Sequence, residues 1–214
     1  MSLQKINTRT IVLILMIVAA AAMRLVSYRF PYLLSNFTPV GAIALFGGAY
    51  FTDKWKAYMV VLLTLFASDI LINYLYTSKW VLWYSGSFWV YLTFAIMVFM
   101  GSYIDKVGSV VLTFIETLTK QRSSILKSIA AITSVGMASL ASVAVHWLII
   151  DMPWLYGPLY PHNLTGYGQS LVAALPFERN MVLGDIVFCA ILFGGFELAK
   201  SKYGILQSKK ELAV

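Results

Sequence analysis

The chain has 214 residues, 60% hydrophobic and only 12% charged, with a mean hydropathy of +0.78. Soluble domains carry about 25% charged residues, so the composition excludes an ordinary soluble enzyme and points to a single integral membrane domain, residues 1–214. The net charge of +7 follows from the positive-inside rule rather than from nucleic-acid binding, so no nucleic-acid partner is expected.

In chain order, the basic start at Lys5 and Arg9 leads into an apolar run with no convincing cleavage site, which reads as a retained first span over 10–26. Ala19, Ala20, Ala21 and Ala22 give it a face for close helix contact. A second, short apolar segment covers 39–51, with Thr38 as N-cap and Pro39 at the first helical position. It rises only ~20 Å against a hydrocarbon core of ~30 Å. Gly41, Ala42, Ala44, Gly47, Gly48 and Ala49 suit a helix pressed against other helices. It is either a plain packing helix or one whose N-terminal dipole, with Asn36, faces a ligand cavity.

The third span covers 55–76 and carries Asp69 and Asn73. A loop with Trp80, Trp83 and Tyr84 leads to a fourth span over 88–104. The less apolar stretch 107–124, with Glu116, Lys120 and Arg122, reads as an interfacial helix or loop. The fifth span covers 125–150 and ends near His146 and Trp147. After a loop over 151–168, a half-helix over 165–175 is expected to stop at Pro176. The sixth span covers 180–198, with Asp185 near its start and Glu197 near its end. The expected fold is all-α: a polytopic membrane helix bundle of about six segments, with a short second helix and outer-face loops.

With six crossings and a cytoplasmic N-terminus, twelve Lys and Arg fall on the cytoplasmic side. Four (Arg24, Arg29, Lys79 and Arg179) fall outside. That bias puts both termini in the cytoplasm and the Trp80–Trp83 loop on the outer face. Arg24, Asp69, His146, Asp151, Arg179 and Asp185 then lie in the outer half or at its rim. Buried ionisable groups in a bilayer point to function, although an Arg24–Asp69 or Arg24–Asp185 pair could equally lock the bundle. The outer loops hold many more Trp and Tyr than the inner rim, which suits a lid over a flat organic ligand as well as membrane anchoring. Arg24, Asn36, Asp69, Trp83, His146, Arg179 and Asp185 are the candidate pocket-lining residues.

Catalytic signatures are missing: the sequence has no HExxH, GxSxG or P-loop. The chain is therefore not expected to be an enzyme, to have a catalytic residue or to carry a cofactor. An intramembrane enzyme using Asp69, His146 and Asp185 is the rival on that point. A metal at His146, His162 and Asp151 is chemically conceivable, but two histidines and one cysteine argue against a metal site. Cys189 reads as a small core residue.

The stretch NFTPVGAIALFGGAYF at 36–51, the Ser68-Asp69 pair and LPFERNMVLGDIVFCAILFGGFE at 175–197 resemble an uncharacterised family of small bacterial inner-membrane proteins. The overall plan is similar to the substrate-binding S subunits of energy-coupling factor (ECF) vitamin transporters. That resemblance implies an S-component-like bundle in the bacterial inner membrane. It also implies a vitamin-like ligand captured at the outer face, with a coupling subunit and ATPases as partners. The alanine-rich face at 19–22 would correspond to the contact with the coupling subunit. One branch of that class takes up cobalamin through an outer-loop cysteine ligand. Cys189 is not in an outer loop, which leaves cobalamin one candidate among vitamins. A scaffold protein for envelope assembly, with no small-molecule ligand, is the alternative.

Overall fold

A computed structural model describes residues 7–30 and 34–208. The expected features at Lys5, Lys209 and Lys210 lie outside the described residues. Among the described residues nine α-helices follow one another: α1 (Thr8–Ala22), α2 (Arg24–Arg29), α3 (Val40–Tyr50), α4 (Lys54–Thr77), α5 (Ser87–Gly101), α6 (Ile104–Thr119), α7 (Ser124–Ile150), α8 (Leu164–Cys189) and α9 (Gly195–Lys202). A π-helical turn, Ala190–Gly194, joins α8 to α9. No strand occurs among the described residues.

Four helical stretches are long and apolar enough to cross a membrane: Thr8–Val26, Lys54–Thr77, Ser124–Ile150 and Leu164–Lys202. The α5–α6 pair, bent by 45°, makes a fifth if it acts as one span, and α3 is a shorter apolar helix beside them. The long helices start where a side chain can accept an orphan N–H. Asn7 accepts from Thr10, Asp53 from Trp55, Ser123 from Leu126 and Asn163 from Gly166. Ser78 and Lys120 end α4 and α6 in the left-handed conformation.

Two sequence expectations change, and one left open is resolved. The short helix starts at Val40, with Pro39 at the N-cap and no side-chain cap from its own segment. Thr38 therefore does not cap it. The stretch 107–124, expected as an interfacial helix or loop, takes the helical alternative: α6 covers Ile104–Thr119 and packs on α7, with Gly108 set against Ser134. Finally, Pro176 does not end a half-helix: α8 runs through it without a break. The lost N–H would have bonded to the carbonyl of Val172, an exposed residue on the outside of the bundle.

At the centre lies α3, with every residue from Val40 to Gly48 buried. It touches α1, α4, α5, α7 and α8. Such burial around the whole circumference requires residues small enough for backbones to meet. Gly48 faces the carbonyl of Val98, and Gly101 faces the backbone of Leu45, so α3 and α5 lie backbone to backbone. Another face of the same half of α3 packs through rings: Phe46 and Tyr50 meet Phe193 and Phe196 at centroid distances of 4.6–5.7 Å. Outward-facing residues such as Leu15, Leu63, Ile132 and Ile191 are exposed, as a lipid-facing surface requires.

Candidate functional site

An eleven-residue helix leaves its first N–H and last C=O groups without partners of its own. Side chains from distant parts of the chain complete both ends of α3. At its C-terminal end, Lys54 Nζ donates to the carbonyls of Gly48 (2.7 Å) and Phe51 (3.1 Å). Arg9 donates to the carbonyls of Tyr50 (3.0 Å) and Leu206 (2.7 Å). At its N-terminal end, Oδ1 of Asp185 accepts from the N–H of Ala42 at 3.0 Å. Oδ2 of Asp185 lies 2.9 Å from Ser142 Oγ. Asp185 is fully enclosed, at 0% exposure. Cations thus sit at the negative end of the helix dipole and a carboxyl at the positive end.

Two polar clusters flank the first turn of α3. On one side, Arg24 pairs with Asp69 at 2.7 Å and donates to Ser68 Oγ. The Tyr91 hydroxyl donates to the other oxygen of Asp69 at 3.0 Å. Trp83 stacks on Tyr91 with ring centroids 5.7 Å apart and planes at 11°. Arg24 Nε is buried without a hydrogen-bond partner. Beside it lies a cavity of about 10 Å³, lined by Arg24, Val40, Ile43 and Ser68 among others. Burial and the charge of Asp69 push the Tyr84 hydroxyl above its ordinary pKa.

The other cluster runs along the seam of α7 and α8. His146 Nδ1 lies 3.4 Å from Glu178 Oε1. One turn further in, Ser142 meets Asp185. At the loop end, the Tyr156 hydroxyl donates to Asp151 at 2.9 Å. Burial pushes the Asp151 carboxyl above its ordinary value, while the Tyr156 hydrogen bond pulls the other way. Burial and Asp151 together push Tyr156 up. The Phe94 ring of α5 lies beside His146, at 6.4 Å between centroids.

The structure therefore gathers Arg24, Asp69 and Trp83 into one cluster and His146 and Asp185 into another. Asn36 is exposed in the turn before α3, in the left-handed conformation (φ 59°), and its carbonyl accepts from Thr38 N–H. Arg179 is exposed on α8 and forms no ion pair among the described residues. Both stand apart from the two clusters. Tyr91, Ser142 and Glu178 belong to the clusters and were not among the sequence candidates. Glu178 lies seven residues before Asp185, two turns along the same helix face. That signal emerges only once α8 is known to pass through Pro176 unbroken. No group of three or more His, Cys, Asp or Glu able to hold a metal occurs among the described residues. His162 instead contacts the carbonyl of Gly157 at 3.0 Å.

No curated protein and no solved structure matches this chain. Residues 4–210 match the family of unknown function DUF6580, and the chain belongs to that family.

Proposed function

We propose that this protein captures a vitamin-like small molecule at the outer face of the bacterial inner membrane and serves as the binding subunit of an uptake system. The observation that carries the reading is the Arg24–Asp69 pair under the Trp83–Tyr91 stack. A charged pair, an unused Arg24 N–H and a flat aromatic surface meet at one end of the bundle. Such a combination suits a planar ligand with an acceptor group: the ring stacks on Trp83 and the acceptor takes the free donor of Arg24. Trp83 is 61% exposed, so a ligand can reach it. Ligand pockets usually enclose at least about 300 Å³. The cavity of about 10 Å³ beside Arg24 would therefore have to open by movement of the 78–86 loop. The sequence carries no nucleotide-binding loop, so energy would come from a coupling subunit with ATPases, or from an ion gradient.

A scaffold role is the second reading, and one observation favours it. Asp69 and Asp185 are both engaged by partners within the chain, and the centre is closed. Native mass spectrometry of the gently purified protein, with an absorbance spectrum, separates the two readings. A bound species of vitamin mass, lost in Arg24→Gln and Trp83→Ala while the protein stays folded, supports capture. A bare mass from preparations that retain partner proteins supports the scaffold.

A further inference from the structure

We propose that the seam between α7 and α8 is a proton-binding site, centred on His146 and Glu178 and coupled to Asp185. It goes beyond small-molecule capture and does not rest on it.

The pairing of His146 with Glu178 is incomplete. At 3.4 Å it is longer than a good hydrogen bond. His146 Nδ1 and Glu178 Oε2 are both enclosed without a hydrogen-bond partner. The Glu178 side chain is only 8% exposed. A bare carboxylate oxygen in such a place is costly, and a bound proton removes most of that cost.

Charge balance points the same way. The titratable groups around the pair are Asp185 and, one turn on, Cys189 on α8, with Asp151, Tyr156 and Tyr167 at the loop end of the seam. From α5 comes the Phe94 ring, and from α3 comes the Ala42 N–H on Asp185. The neighbouring Arg179 is exposed, and no Lys or Arg forms an ion pair with Asp151, Glu178 or Asp185 among the described residues. Three carboxyls thus face one imidazole in a poorly solvated seam. Full ionisation would leave uncompensated negative charge there, and a proton held in the seam relieves it.

The register ties this proton to the centre of the bundle. Ser142 and His146 lie one turn apart on α7, and Glu178 and Asp185 two turns apart on α8. Ser142 Oγ lies 2.9 Å from Asp185 Oδ2 and 2.8 Å from the Ser139 carbonyl, but it has one proton to donate. When Asp185 is ionised, Ser142 donates to it. When Asp185 carries the proton on Oδ2, Asp185 donates to Ser142, and Ser142 turns to Ser139. The same atoms serve both states. Proton occupancy of the His146–Glu178 pair sets which one holds at the first turn of α3.

Infrared difference spectroscopy of the full-length protein in nanodiscs, titrated through neutral pH, tests the site. The expected result is a protonated-carboxyl band near neutral pH that shrinks in Glu178→Gln. Its midpoint should shift by about one pH unit, a tenfold change in proton affinity, in His146→Gln. Asp185→Asn keeps the shape and hydrogen bonds of Asp185, and the band should persist there in part. No such band above pH ~5, or a band lost completely in Asp185→Asn, overturns the proposal. Asp151 is the other buried carboxyl of the seam, so the band must also persist in Asp151→Asn, and its loss there overturns the proposal. The wild type, Asp151→Asn and Asp185→Asn together decide the matter even if Glu178→Gln fails to fold.

Discussion

Asp185 caps a helix to which it does not belong. Its Oδ1 accepts the N–H of Ala42, 143 positions earlier in the chain, at 3.0 Å inside the bundle. Eleven residues are too few for a stable isolated helix. Packing and borrowed caps hold α3: Asp185 at one end, Lys54 and Arg9 at the other. The two stretches 36–51 and 175–197 are thus halves of one structural unit. Two more contacts join them: Asn180 donates to the Ser35 carbonyl at 2.9 Å, and Gly184 lies against the Thr38 backbone.

Gly41 tests how closely Asp185 must approach. A β-carbon there would collide with both carboxyl oxygens of Asp185. Gly41→Ala is expected to destabilise by roughly 1–3 kcal/mol, as an overpacked core does. Gly136 on α7 has open space where its β-carbon would lie. Gly136→Ala should be neutral or stabilising by up to about 1 kcal/mol through helix propensity. Thermal unfolding in detergent measures both. Equal effects would contradict the close approach.

Arg24 and Asp69 call for a double-mutant cycle. Their side chains are 15% and 11% exposed, so the pair is only lightly screened. Arg24→Ala leaves Asp69 with the Tyr91 hydroxyl alone, and Asp69→Ala leaves a buried guanidinium. Each single change is expected to cost roughly 3 kcal/mol, and the double change clearly less than their sum. Additive losses would mean that the two groups do not stabilise each other.

Asp151 imposes a pH dependence of known sign. Its carboxyl is raised by burial, so the folded state keeps the proton to a higher pH than the unfolded chain. Its contribution to stability is present below the unfolded value of ~3.9 and falls as pH rises through the raised folded value. Asp151→Asn should remove that slope. The check is the unfolding midpoint against pH in the wild type and the variant. Identical slopes would refute the assignment.

The charge bias predicts an orientation, with the 78–86 loop outside and Lys120 inside. Cys189 is buried and is the single cysteine of the chain, so a Cys189→Ala background is straightforward. Lys79 and Lys120 are both exposed. In intact cells an impermeant maleimide should label Lys79→Cys and spare Lys120→Cys. The reverse pattern would invert the topology.

The helices of the bundle were legible because long apolar runs with polar caps have few other solutions in a bilayer. Spans near 55–76 and 125–150 emerge within two residues of their expected ends. The small residues of α3 signalled a packed short helix, and it is the most enclosed element. Pro176 misled, because a proline removes one helical hydrogen bond without having to end the helix, and α8 continues through it. For 107–124 the choice between interfacial helix and loop stayed open because Glu116, Lys120 and Arg122 interrupt the apolar pattern; in the fold Glu116 lies partly buried and pairs with Arg122. Arg24 with Asp69 was foreseeable from opposite charges at similar depth. Asp185 as the cap of α3 was not, since no local pattern links residues 143 positions apart.

The most direct test of the central role of Asp185 is the unfolding midpoint of Asp185→Asn beside Asp185→Leu. Asparagine keeps an acceptor for Ala42 N–H and a donor for Ser142, and should fall within about 1 kcal/mol of the wild type. Leucine is similar in size but leaves the Ala42 N–H orphaned in the core, and should lose roughly 2 kcal/mol or more. Leucine matching asparagine would contradict the view that this cap holds the centre of the bundle.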